Sequence, residues 1–192
     1  MPPLFDSEKN LAWNKIRKTS FPIPPEFKEE GWRIIHSPNG SLCQLDTNNG
    51  CKVWMGNEIN EKISMGYGAI RMHGRCLILG LGIGLVAQYI DAIGHCKSMT
   101  IVEKSPIVIK HVGPWLESVT ETPIEIIESD DEEFLINTTR KWDTMFADTW
   151  ELCVDALEKI DRLKIISKDK VRGKKVYWAQ SQLKKEKRRC PC

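Results

Sequence analysis

Cys76-Leu-Ile-Leu-Gly80-Leu-Gly82-Ile-Gly84-Leu-Val86 reads as an apolar strand that runs into a glycine-rich turn and out into a helix. An uninterrupted apolar run suits a strand buried on both faces of a parallel sheet. Glycine at alternate positions supplies the freedom for a tight turn. It also lets the main chain approach a ligand laid across the helix N-terminus. The spacing is G-x-G-x-G. A dinucleotide fingerprint, G-x-G-x-x-G, needs glycine at 85, where this chain has Leu85.

Outward from this turn the strand–helix rhythm repeats. Arg75–Leu79 is the first strand, and Leu85–Ala92 is a helix ended by Gly94. Ser98–Glu103 predicts a second strand, and Ser105-Pro106 opens a second helix with proline in its first turn. Ile124–Glu128, Asp131–Thr138 and Thr144–Ala147 then read as strand, short helix and strand. Leu152–Ile166 carries Leu152, Ala156, Ile160 and Leu163 at helical spacing. Lys174–Gln180 fits either a fifth strand or the start of a last helix. Upstream, Trp32–His36, Ser41–Asp46 and Lys52–Met55 are separated by Pro38-Asn39-Gly40 and Asn48-Asn49-Gly50, which are hairpin signals. Glu58–Ile70 predicts a helix with Ile59, Ile63 and Tyr67 on one face.

The expectation is an α/β chain with a Rossmann-like, mostly parallel sheet preceded by a small antiparallel β unit. Its parts are a proline-punctuated arm over 1–31 with one short helix at Leu11–Lys18, the β unit and helix over 32–70, the core over 71–180 and a basic tail over 181–192.

Composition excludes several classes. Of 192 residues, 41% are hydrophobic and 28% charged, with a net charge of +2, so the whole chain advertises neither a nucleic-acid nor a membrane partner. The acidic run around Glu128–Glu133 and the basic run around Lys184–Arg189 read as solvated faces. MPPLFDSEKN lacks the basic-then-apolar order of a signal peptide, and no apolar run reaches membrane-helix length. Seven scattered cysteines then imply free thiols in a reducing cytoplasm. Cys190-Pro191-Cys192 offers two metal ligands where a closed zinc site needs four, so no metal is expected.

Acidic residues fall where each strand ends. Glu103 closes the second strand, about 20 residues on from the glycine turn, where a carboxylate accepts hydrogen bonds from two ribose hydroxyls. Asp130 follows the third strand and Asp148 the fourth. All three reach the edge at which open α/β sheets bind ligands.

With these elements the chain resembles the class I S-adenosylmethionine-dependent methyltransferase superfamily, and especially its spermidine-synthase-like branch, including small proteins of that type encoded by phages. The resemblance rests on CLILGLGIGLVAQYI (76–90), MTIVEKSPIVI (99–109), IEIIESDDEEFL (124–135) and WDTMFADTWE (142–151), with GSLCQLDTNNGCKVWMGNEINEKI (40–63) similar to the β segment before the polyamine-synthase core. It implies S-adenosylmethionine or its decarboxylated form as cofactor. Gly80, Leu81, Gly82, Ile83 and Gly84 would border its amino-acid and ribose portions, Glu103 would hold the ribose hydroxyls with Lys104 beside it, and Asp130 the adenine amino group.

The departures from that pattern are specific. Polyamine synthases end the fourth strand with Asp, two small residues and a second Asp acting as base. Here the stretch is Asp148-Thr149-Trp150-Glu151, which puts Glu151 at the base position behind Trp150. Asp131 replaces a small residue, and Asn57-Glu58-Ile59-Asn60-Glu61 stands where the amine-binding tyrosine and histidine belong. The chain also ends before the last two strands of a full methyltransferase sheet. The expected catalytic residues are Asp148 and Glu151, with Glu58 and Trp150 toward the acceptor. The expected activity is methyl transfer to a small molecule, against aminopropyl transfer from the decarboxylated donor or a nucleoside-binding module without chemistry. An uncovered sheet edge suggests a homodimer.

Overall fold

The computed structural model describes residues 14, 16, 18, 21–38, 43–47, 50, 52–150 and 156–189, backbone only from 186 on. Most of the expected arm helix, the turn residues Asn39-Gly40 and Asn48-Asn49, Glu151 with the residues up to 155, and Cys190 and Cys192 lie outside the described residues.

Four short strands, β1 (Phe27–Glu29), β2 (Trp32–His36), β3 (Cys43–Thr47) and β4 (Lys52–Gly56), form an antiparallel sheet in sequential order. Three of them match the sequence reading. β1 falls inside the segment expected to be an arm, and pairs with β2 from Phe27 opposite Ile34 to Glu29 opposite Trp32. At the centre of this sheet Asp46 is fully buried, and its Oδ2 accepts from Arg33 Nε at 2.8 Å while Oδ1 accepts from Gln44 Nε2 at 2.6 Å. Removing the guanidinium strands a buried carboxylate. Arg33→Ala is therefore expected to cost about 3 kcal/mol of stability, read as a lowered denaturation midpoint with an unchanged m-value.

Helix α1 (Ile59–Ala69) follows. Its buried face is not the expected one. Ile59 is 68% exposed, and the inward residues are Met65, Gly66, Gly68 and Ala69. The cause is close approach: a side chain at Gly68 would collide with the Phe146 ring.

The core sheet holds β5 (Gly74–Leu79), β6 (Cys96–Glu103), β7 (Ile124–Glu128), β8 (Thr144–Ala147) and β9 (Lys175–Tyr177), all parallel, in the order β7-β6-β5-β8-β9. The intervening helices are α2 (Leu85–Ile93), α3 (Pro106–Val119), α4 (Asp131–Asn137) and α5 (Ala156–Ile166), and α6 (Gln180–Arg189) closes the described chain. The open alternative over Lys174–Gln180 resolves as both: β9 takes 175–177 and α6 starts at 180. This is a Rossmann-like fold with a small antiparallel sheet attached.

Period-2 alternation explains why the strands read as continuous apolar runs. Cys76 and Ile78 of β5 point into one core, shared with α1, α2, α3 and the small sheet, while Leu77 and Leu79 point into the other, under α4 and α5. Phe146 and Met145 of β8 divide the same way. Among the described residues no helix is long and apolar enough to cross a membrane.

Candidate active site

β5 has β6 on one side and β8 on the other, so the connections leaving β5 and β8 diverge and open a crevice at the strands' carboxyl ends. A cavity of about 800 Å³ occupies that crevice. Its floor is the glycine turn. Gly80, with φ +97°, lies so close to the Asp148 carbonyl that no side chain fits between them. Gly80, Leu81 and Gly82 line the cavity, whereas Ile83 turns into the core at 2% exposure and Gly84 caps α2 in the left-handed region.

The small sheet covers this floor. Met55 of β4 lines the cavity, and its Sδ accepts from Ile83 N–H at 3.5 Å and packs against Gly82. Trp32, Lys52 and Trp54 continue that wall, with Lys52 Nζ 5.7 Å from the Trp54 ring centre. None of these residues was expected at the site.

Glu103 and Asp130 both line the cavity. The Glu103 carboxylate is fixed by two backbone donors, Leu81 N–H to Oε2 at 2.9 Å and Ser105 N–H to Oε1 at 2.8 Å. Each of its oxygens retains further accepting capacity. Asp130 caps α4 through Glu132 N–H at 3.0 Å and Glu133 N–H at 3.3 Å, and its Oδ2 accepts from Lys104 Nζ at 3.2 Å. Burial works against its charge, but Lys104 and the two N–H groups prevail and hold the carboxyl below its usual range. Lys104 lines the cavity with its ammonium committed to Asp130.

Asp131 is 4% exposed. Its Oδ1 faces Lys159 Nζ at 3.1 Å, and its Oδ2 accepts from the Thr149 hydroxyl. Lys159 also donates to Thr149 O at 3.2 Å. This network ties α4 and α5 to the segment after β8, and thereby orients Asp148 and Trp150. Both of these line the cavity, Trp150 at 8% exposure.

Glu58, expected beside the acceptor, is instead exposed at the N-cap of α1 and does not line the cavity. One turn on, Glu61 does. Burial, and then the Glu58 charge, push the Glu61 carboxyl up to about 7. Burial lifts Asp148 well above the usual carboxylate range, and the Glu61 charge adds to it. Two proton-holding acids thus share a wall with Phe146, Trp150 and Trp178, the last anchored by Nε1 donating to Ser64 Oγ at 3.1 Å.

A raised folded-state pKa means the folded chain binds the proton more tightly than the unfolded one. Glu61 therefore adds stability that is fully present below its ordinary value near 4.5 and lost as pH rises to about 7. Glu61→Gln is expected to raise the thermal midpoint at pH 8, and to flatten its decline between those two values, in melts run across pH.

No protein-family model matches the chain, and no curated protein matches it. Solved structures do. A spermidine synthase from Thermotoga maritima is 14% identical with a TM-score of 0.52, over 78% of this chain and 53% of that one. A spermidine synthase in complex with the transition-state analogue AdoDATO is 15% identical with a TM-score of 0.47, over 67% and 47%. An S-adenosylmethionine-dependent methyltransferase from Clostridium acetobutylicum is 16% identical with a TM-score of 0.41, over 57% and 43%. The chain spans about half the length of these structures. What the first likeness establishes is the fold, a Rossmann-like sheet with its helices.

Proposed function

We propose that the chain is a transferase that takes its group from S-adenosylmethionine and delivers it to a nitrogen of a small molecule, most simply as a methyl group. One observation carries this reading: a single cavity joins a nucleoside-type wall (Gly80–Gly82, Glu103, Asp130) to an acid pair, Asp148 and Glu61, set among aromatic rings. The residues present fit such a donor. A side chain at Gly80 would close the floor, and Glu103 is held with lone pairs to spare for vicinal hydroxyls. When bound, the donor supplies an electrophilic carbon on a sulfonium.

The remaining work falls to the chain. Glu103 orients the ribose, and Asp130 with Lys104 borders the base. Once ionised, Asp148 takes the proton of an acceptor ammonium, and Glu61, whose carboxyl is pushed up to about 7, is the second acid on that wall. The aromatic walls hold a cationic acceptor and keep water out.

Aminopropyl transfer is the second reading, and the distribution of cations favours it. Lys104 and Lys159 are each committed to a carboxylate, Lys52 lies over Trp54, and Ile83 N–H faces a thioether. A donor tail ending in an ammonium suits the Glu61–Asp148 wall better than one ending in a carboxylate. The likeness to the Thermotoga maritima spermidine synthase supports the same reading.

Calorimetric titration with S-adenosylmethionine, its decarboxylated form, S-adenosylhomocysteine and NAD tests the proposal, followed by mass analysis of products from an amine panel. Binding of the first and third supports methyl transfer, and preference for the second moves aminopropyl transfer to the front. NAD binding alone removes both. Binding without turnover over the panel leaves a nucleoside-binding module.

A further inference from the structure

The sulfur atoms of Cys76 and Cys96 stand 2.6 Å apart. Cys76 lies on β5 and Cys96 opens the neighbouring β6, at the end of the sheet away from the cavity. Local register brings them together. Cys96 pairs with Gly74, but the next pair is Arg75 with Ser98, so Lys97 is an extra residue on β6. Such a bulge re-aims the side chains beside it. Here it leaves Cys76 and Cys96 on the same face, with Cys96 opposite Gly74, two residues before Cys76 on β5.

The two thiols differ in access and in charge. Cys76 is fully buried, near Thr144 Oγ1 at 3.4 Å and His73 O at 3.5 Å, whereas Cys96 is half-buried. The contact with Cys76 holds the Cys96 thiol below its usual range, helped by backbone hydrogen bonds at Ser98, Cys76 and Lys97. The same contact, and then burial, drives Cys76 up. The outer sulfur is thus the nucleophile and the inner one is placed to resolve it, the arrangement of a redox-responsive pair. Cys43 is the contrast: it is buried, and burial pushes its thiol up to about 12.

We propose that Cys76 and Cys96 form a dithiol that closes reversibly to an intrachain disulfide when a hydroperoxide reaches Cys96. The Cys96 thiolate attacks the peroxide, the O–O bond breaks, Cys96 becomes a sulfenic acid, and the departing hydroxide takes up the proton that the Cys96 thiol gave to solvent and leaves as water. The Cys76 sulfur then attacks the Cys96 sulfur, the S–O bond breaks, and the hydroxyl departs as a second water with the Cys76 proton. One hydrogen peroxide is reduced to two waters and two thiols are oxidised to one disulfide. Joining residues 20 apart encloses the glycine turn and α2 in a covalent loop and pins β5 to β6. Ligand binding does not enter this inference, which stands apart from the proposed transferase activity.

The test uses the full chain. It is exposed to a few equivalents of hydrogen peroxide, alkylated under denaturing conditions and digested for peptide mass analysis. The expected result is a linked peptide pair carrying Cys76 and Cys96 that a dithiol reductant separates, with a thermal midpoint raised by roughly 5–10 °C before reduction. In Cys76→Ser the link is absent, and dimedone captures Cys96 as its sulfenic acid adduct. The proposal is overturned if wild-type Cys76 remains alkylatable after Cys96 has been oxidised. A peroxide-induced link between other cysteines, with this pair still reduced, overturns it equally.

Discussion

Asp148→Asn is expected to lower turnover by about 10²- to 10⁴-fold while leaving affinity for an S-adenosyl ligand within about threefold of wild type. The reasoning starts from placement. Asp148 follows directly on β8, with its backbone N–H bonded to Leu79 O at 2.9 Å, so its carboxyl is delivered by the sheet itself. The nucleoside wall is built by Glu103, at the end of β6, and Asp130, at the N-cap of α4, and does not depend on that carboxyl. Burial makes Asp148 hold its proton to unusually high pH, with Glu61 opposing its ionisation. Wild-type turnover should therefore rise with pH as the acids lose their protons, and the part of that rise due to Asp148 should vanish in the Asn variant. Asn keeps the shape and removes a desolvated acid, so the thermal midpoint is expected to hold or rise. Loss of activity with a retained midpoint marks a catalytic group. Unchanged turnover across the pH range would remove Asp148 from the chemistry.

The order in which parts of this site became legible follows the range of the interactions that make them. β7 and β8 occur at the residues their apolar runs predict, and Ser105 caps α3 by accepting from Val108 N–H at 3.3 Å, because these are signals among near neighbours in sequence. The strand-end acids Glu103, Asp130 and Asp148 were readable because a parallel sheet carries all its carboxyl ends to one edge. Glu61 was not. Its direction depends on which face of α1 docks, and that helix docks on Gly66 and Gly68, which leave no hydrophobic stripe to read. Ile59 and Tyr67 suggested a different face. Met55 was equally hidden, since its contact with Ile83 spans 28 residues and depends on how two sheets meet. β1, three residues long with one apolar side chain, is held by pairing with β2 and by the clasp of Glu29 on Lys110 and His111, none of which its own sequence announces. Asp131 read as a departure from pattern, and only its contacts with Thr149 and Lys159 explain why a carboxylate stands there.

The two cavity-lining glycines should respond very differently to alanine. At Gly80, φ is +97°, outside the left-handed well, and a Cβ would meet the Asp148 carbonyl oxygen. That oxygen cannot retreat cheaply: Asp148 N–H is bonded to Leu79 O, and Gly80 N–H to Val102 O at 2.8 Å, which locks both chains to β5 and β6. Gly80→Ala is expected to cost about 3 kcal/mol or more and to lower the thermal midpoint by roughly 6–12 °C. It should also abolish ligand binding, because any relaxation moves the floor and Asp148 together. Gly82, at φ +52°, sits within the left-handed well, and its Cβ would meet only the Met55 thioether, the end of a flexible side chain. Gly82→Ala should cost about 1 kcal/mol, or roughly 2–4 °C, and Met55→Ala in the same chain should restore part of it. Thermal melts and ligand titrations on the two single variants and the Gly82–Met55 double variant read all three effects. Equal losses at the two glycines would mean that the turn demands glycine for conformation alone, and that the close approach of the Asp148 backbone is not what shapes the floor of the site.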